Sequence, residues 1–384
     1  MSKTAVSNIS AGVADILRAH RQWLESGQKQ GQRADFSGVH LDGIDLAGVD
    51  LSAAVFKGAS LRAANLAACR LIHADFSDAC MQGAALTRAN LLLTDFSGAD
   101  LREADLSEAT VSSDSELGQM RRGPRFKDAD LQDANLQNCY CYISEFCGAN
   151  LSGANLSGAM LERANLSANN LAGINCRDAN MSGVNLESSD LSGTDLRGAY
   201  LVHANLTQTL LSGADVSGAH LKSANFADAK VDNISYNRKT LFRGIRVVSC
   251  YGSSRFRRFA QDQDYIEEFK DAYPFLYYIW LGLTDCGRSL FRVVFWCLVL
   301  ALGFGVIYFL LGEHAFEINH KETLSWSLFT TIYYSIVTFT TLGFGDITPR
   351  TPLAASVVIV EVIVGYLMLG ILISILATKV ARRS

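Results

Sequence analysis

Proline is scarce: four residues in a chain of 384, which fits long regular elements. Nine cysteines are present, yet none forms a CxxC pair or a Cys/His cluster. Cys139 and Cys141 come nearest and make a poor metal site. Several cysteines fall at small or apolar positions of a repeat, so buried free thiols are expected. The opening MSKTAVSNIS lacks a basic start followed by an apolar run. No secretory leader is therefore expected, and the N-terminal half is expected to stay in a reducing cytosol. The net charge of −4 is unevenly spread: residues 34–231 hold 24 acidic against 14 basic side chains, a net of −10, so the remainder is basic. No catalytic constellation occurs, and no enzyme is expected.

What is present first is a period of five. From Ala34 the chain reads ADFSG VHLDG IDLAG VDLSA AVFKG. An apolar centre falls at 36, 41, 46 and every fifth residue to Val111, then from Phe126 to Val231, making 16 and 22 units. A small residue, mostly Ala, stands two before each centre, and Asp, Asn or another polar residue one before it. This period suits neither a helix nor a flat strand. It asks for a backbone that turns every five residues and stacks its repeats to bury a core.

These residues resemble the pentapeptide-repeat family, and the resemblance implies a right-handed quadrilateral β-helix. Phe at 36, 56, 76 and 96 supports four sides independently, since 20 residues are four units. Phe126, Phe146 and Phe226 share a second register offset by 10. A loop of about ten residues near 112–125, holding Glu116 and Arg121 outside the core, would merge the two into one column. Coils spaced about 4.8 Å apart give a rod roughly 45 Å long. Its exposed ends need covers, and Val13, Ile16, Leu17, His20 and Leu24 lie at helical spacing for one at the N-terminus. A partner-binding helix is the alternative. The recurrent carboxylates read as solvated faces. An acidic rod is thin support for a DNA-like role, so nucleic acid is not expected as a partner.

After Leu241 the character changes. Residues 242–290 read as a basic linker followed by PFLYYIWLGL, 274–283, too short to span a bilayer. Tyr277, Tyr278 and Trp280 suit an interfacial helix; packing against the end of the rod fits as well. Residues 293–311 and 353–377 are apolar runs long enough to cross a lipid bilayer. Arg255, Arg257, Arg258, Arg288 and Arg292 precede the first, and Lys379, Arg382 and Arg383 follow the second. Positive charge on both flanks puts both termini in the cytoplasm. Between the runs, LSWSLFTTIYYSIVTFTT leads into TLGFGD. Non-helical backbone at membrane depth must be buried in protein or line a watery cavity.

Residues 290–380 resemble the pore module of two-helix potassium channels. Thr341, Leu342, Gly343, Phe344, Gly345 and Asp346 match that family's T-V-G-Y-G-D filter. The resemblance implies that the Thr341 hydroxyl and the carbonyls of Thr341, Leu342, Gly343 and Phe344 line K⁺ sites, and that four chains are needed. It places Tyr333 and Tyr334 in an aromatic cuff. Phe344 lacks the family's tyrosine hydroxyl, and Val337 stands where some members carry a Glu paired with the filter Asp. Gly365, 19 residues past Asp346, matches a hinge glycine; Gly370 is the runner-up, and helix packing explains either equally. Glu361 is an ionisable group inside a span and so a functional candidate. It reads as filter support rather than an ion contact, and neutralising it is expected to alter conductance or gating.

The organisation expected is thus a capping helix over 1–33, a β-helix over 34–241, a linker and interfacial helix over 242–290, and an all-α pore domain of two transmembrane helices plus a pore helix over 291–384. The function expected is a homotetrameric, potassium-selective channel of the plasma membrane, with K⁺ as permeant ion and no cofactor. Its β-helix would serve as scaffold or regulator, with a cytoplasmic protein partner left open. Without an arginine-rich span, no built-in voltage sensor is expected, and no nucleotide- or calcium-binding motif is recognisable. The rival readings are a membrane-anchored interaction scaffold with a vestigial pore, and a poorly selective cation channel.

Overall fold

The computed structural model describes residues 11–111, 122–319 and 325–381. Two compact units divide the chain, Met1–Glu267 and Glu268–Ser384.

In the first unit each pentapeptide turns one corner. The amide three residues after a centre returns to that centre's carbonyl, as in Val39 N to Phe36 O at 3.0 Å and Ile44 N to Leu41 O at 3.1 Å. The residue two past the centre takes a left-handed conformation, with φ of 67° at Gly38, 61° at Ala53 and 59° at Asp78. That is a turn with a left-handed third residue, where glycine, Asn and Asp are the least strained choices. Four corners bring the chain back over itself, so Asp35 bridges Val55 and Val55 bridges Asp75, always in parallel. Centres and small residues point inward and are buried, from Ala34 and Phe36 to Ala229 and Val231.

Phe36, Phe56, Phe76, Phe96, Phe126 and Phe146 form one column with successive centroids 4.6–5.3 Å apart. Each stacked pair adds about 0.5–1.5 kcal/mol beyond its buried area. Between Phe96 and Phe126 the coil is longer: Asp95 bridges Arg125, thirty residues on. Glu116 and Arg121 lie outside the described residues. The polar position before each centre has structural work. Asp50 Oδ1 accepts from Ser52 N at 3.0 Å, and Asn165 Oδ1 from Ser167 N at 3.2 Å. Asn205 Nδ2 donates to Asn185 Oδ1 at 3.0 Å in a ladder running up one face. The cysteines in the described residues are free thiols, and burial pushes those of Cys69 and Cys176 up to about 12, which leaves them inert.

Both ends of the stack are covered. Helix α1, Ala11–Glu25, lays Val13, Ile16 and Leu17 on the first coil. His20 is buried, and its Nδ1 accepts from the edge amide of Ala34 at 3.1 Å. At the other end, residues 242–251 were expected to open a linker but form the last coil. Leu241, Arg246 and Tyr251 bridge His220, Asn225 and Lys230. The spacing there is 21 rather than 20, because one extra residue between Ser235 and Leu241 breaks the strict period that the sequence displays upstream. Helix α2, Ser254–Ala272, then buries Phe256 and Ala260 on that coil. Its Glu267 accepts from Phe242 N and Arg243 N, each at 3.1 Å, and Asp264 accepts from Gly244 N at 2.6 Å. Those carboxylates occupy edge donors that would otherwise be open to another strand.

The His20 contact carries a pH dependence. Burial is the main cause holding its pKa below the ordinary 6.5; Asp50 opposes and Arg33 assists. A base depressed in the folded state is harmless above its unfolded pKa, and stability falls as pH drops below it. Amide-exchange protection of Ala34 is therefore expected to weaken between pH 7.5 and 5.5, beyond the intrinsic rate change. Unchanged protection would show that protonation does not loosen the cap.

The second unit holds α3 (Pro274–Thr284), α4 (Leu290–Leu311), α5 (Leu328–Phe339) and α6 (Pro352–Ala381). Two short strands, β1 (Phe316–Ile318) and β2 (Ile347–Pro349), pair antiparallel with Phe316 opposite Pro349 and Ile318 opposite Ile347. Helices α4 and α6 are long and apolar enough to cross a membrane. Helix α3 exposes Phe275 and Tyr278. Its end is tied to α4 by Arg292 to the Leu281 carbonyl at 3.1 Å and Trp296 Nε1 to the Gly282 carbonyl at 3.2 Å.

Candidate ion-conduction site

Helix α5 starts at Ser327, whose hydroxyl accepts from Thr330 N at 3.1 Å. It packs on both long helices. A methyl at Gly305 of α4 would lie 2.8 Å from the Ile332 Cα, and one at Gly365 of α6 would lie 2.4 Å from the Phe339 carbonyl oxygen. Only glycine permits either approach. At Gly370 a methyl would meet nothing within 4 Å. Gly365 thus sits at a tight helix crossing, directly behind the end of α5.

Past Phe339 the chain turns sharply. Thr341 N donates to Thr338 O and Leu342 N to Val337 O, both at 3.0 Å. Thr341, Gly343 and Gly345 then take positive φ of 59°, 53° and 72°, while Leu342 and Phe344 between them do not. In a flat strand, carbonyls alternate sides; alternating the hand of the backbone can turn successive carbonyls to one side. Glycine does this freely, whereas the β-branched Thr341 is strained there by about 1–3 kcal/mol. The C-terminal end of α5 points its partial negative charge at the start of this strand, an arrangement suited to a cation. Leu342 and Phe344 are 62% and 63% exposed on a single chain. Beside the strand lies a cavity of about 350 Å³ bounded by Tyr334, Val337, Phe344, Val362 and Tyr366.

The sequence-derived support residues fall around this strand. Tyr333 hydrogen-bonds Asp346. Tyr334 is buried, hydrogen-bonds Thr338, and lies 5.3 Å from Tyr308 and 5.7 Å from Phe316 between ring centroids. Val337 is buried and apolar. Glu361 is fully buried. Its Oε2 accepts from the Tyr308 hydroxyl of α4, and its Oε1 lies within hydrogen-bond reach of the Ser335 hydroxyl of α5. Ser335 Oγ also lies 2.6 Å from the Ala301 carbonyl, and its single proton goes to one acceptor or the other. Glu361 therefore joins all three helices behind the strand. Tyr308, Ser335 and Gly305 were not singled out in the sequence. A tyrosine, a serine and a glycine within apolar helices were the available signal, but nothing local pairs them.

The comparisons with known proteins divide along the same boundary. Residues 294–382 match the ion channel family model. Eight copies of the pentapeptide repeat match across segments running from 32–66 to 199–235. Two-pore potassium channel 3 of Arabidopsis thaliana is 34% identical over 91 residues, which are 24% of this chain and 20% of that protein. Among solved structures, HetL, a pentapeptide repeat protein of the cyanobacterium Nostoc, is 24% identical and covers 61% of this chain and 95% of its own, with a TM-score of 0.31. QnrB1, a fluoroquinolone resistance protein, is 21% identical over 53% of this chain and 90% of its own, with a TM-score of 0.29. The chain is a membrane protein that joins a pentapeptide-repeat β-helix, matched between residues 32 and 235, to an ion-channel domain, residues 294–382.

Proposed function

We propose that the chain is one subunit of a homotetrameric, potassium-selective channel of the plasma membrane, with both termini and the β-helix in the cytoplasm. The observation that carries this reading is the non-regular segment Thr341–Gly345, left-handed at every second residue and placed after α5 between two apolar helices. In this reading the Thr341 hydroxyl and the carbonyls of residues 341–344 replace the hydration shell of K⁺, each chain giving one quarter of every site. Exposure of Leu342 and Phe344 on one chain fits a strand whose neighbours are further copies. Helices α4 and α6 meet the lipid bilayer, and Arg288, Arg292 and Lys379 at their ends fit a cytoplasmic position for both termini. The β-helix serves as scaffold or regulator for a cytoplasmic protein partner or for the pore.

Purified protein in liposomes tests this. K⁺ flux blocked by Ba²⁺, with reversal potentials that follow K⁺ and not Na⁺, is expected. Absence of flux under every condition would favour a membrane-anchored scaffold, and equal K⁺ and Na⁺ permeability would overturn the selectivity. Comparing the full chain with one lacking residues 1–240 reads out what the β-helix contributes to opening.

A further inference from the structure

We propose that Asn319 is a positioning residue that fixes the outer end of the conduction strand. The inference rests on the channel reading above. Asn319 Nδ2 donates to the Gly345 carbonyl at 2.8 Å, and Asn319 N donates to the Asp346 carbonyl at 2.8 Å. One residue thus holds two consecutive carbonyls at the end of the strand. A carbonyl can only accept, so the amide nitrogen of the side chain must be the group facing Gly345.

The strand needs such a hold. Two of its five residues are glycines, whose backbones have the widest freedom to rotate. At its inner end the amides of Thr341 and Leu342 are held by α5 carbonyls. Val337, on the part of α5 behind the strand, is buried and offers no polar group. Tyr333 reaches Asp346, beyond the strand. The outer peptide is therefore oriented from the side by the β1–β2 pair. Asn319 follows β1 directly, and that pair is closed by Arg350 N to the Ala315 carbonyl at 2.8 Å, a main-chain bond to which the exposed Arg350–Glu317 ion pair at 3.3 Å adds little.

The geometry also accounts for which carbonyls serve the ion. The Gly345 carbonyl is committed to Asn319, which leaves those of Thr341, Leu342, Gly343 and Phe344 for K⁺. Without the Asn319 amide, the Gly345 peptide is free to rotate and the outermost site loses its fixed shape.

Recordings on the full chain in liposomes test this with Asn319→Leu, which keeps the size of the side chain but cannot donate. One neutral hydrogen bond corresponds to about a threefold to tenfold shift, here from conducting to non-conducting channels. Raising K⁺ should restore conduction, because an occupied site stabilises the conducting strand by mass action. Arg350→Gln, which breaks the ion pair but leaves Asn319 in place, should show no K⁺-dependent loss. If Asn319→Leu does not assemble, Asn319→Asp retains the polar character and the main-chain bond without the donor, and the same K⁺-relieved loss is expected. Wild-type conduction with either assembled variant unchanged, or with a loss that K⁺ does not relieve, overturns the role of Asn319. A wild-type protein that passes no ions overturns the channel reading instead.

Discussion

Gly365→Ala is expected to destabilise the pore domain and abolish selective flux, whereas Gly370→Ala introduces no clash within its own chain. The added methyl at 365 would sit 2.4 Å from the Phe339 carbonyl oxygen and 3.3 Å from its carbonyl carbon. Backbone cannot rotate out of the way as a flexible side chain can. Relief requires either α6 to move away or the end of α5 to shift, and α5 leads within two residues to Thr341. Overpacking of this kind costs about 1–3 kcal/mol. Thermal unfolding of the purified assembly and K⁺ flux measure the two consequences. The hinge reading of Gly365 makes the opposite forecast. A protein that unfolds normally and stays selective, with only its open fraction changed, would refute the packing account and favour the hinge.

The second large effect concerns Glu361. Glu361→Leu is expected to disrupt the helix core behind the strand, while Glu361→Gln is tolerated. Leucine leaves the Tyr308 hydroxyl without its buried partner, while Ser335 keeps the Ala301 carbonyl, and an orphaned buried hydroxyl costs about 1–3 kcal/mol. A carboxamide serves every group: Tyr308 donates to its oxygen, its NH₂ donates to Ser335 Oγ, and Ser335 donates to the Ala301 carbonyl. The expectation drawn from the sequence is the opposite one, that neutralising Glu361 alters conductance or gating. Flux, selectivity and thermal stability of the two variants decide between them. If Gln proves as damaging as Leu, the charge matters in its own right; if Leu conducts normally, the bonds to α4 and α5 are dispensable.

The repeat was legible because its signal is local and recurs. One apolar and one small residue every five positions dictate an inward face, and the 20-residue Phe spacing points to four sides. The two long helices were legible from long apolar runs, the second broken only by Glu361 as a charged residue. The string at 341–346 stood out because two glycines flank an aromatic residue between those runs. What escaped had a different character. A single inserted residue after Ser235 shifted the last coil out of register, and a strict period cannot see past it.

By itself the sequence determined which residues face inward along the β-helix, where the chain becomes apolar, and where backbone freedom is concentrated. Each follows from short-range pattern, since side-chain direction is set by the local turn or helix. The tertiary structure alone decided that Glu361 meets Tyr308, 53 residues away, and Ser335, 26 residues away. It also decided that Gly365 rests on Phe339, that His20 covers Ala34, and that Asn319 holds Gly345. These contacts depend on how helices cross and edges are covered. A buried polar group must find a partner, but the sequence does not say which of the distant candidates packing will bring within reach.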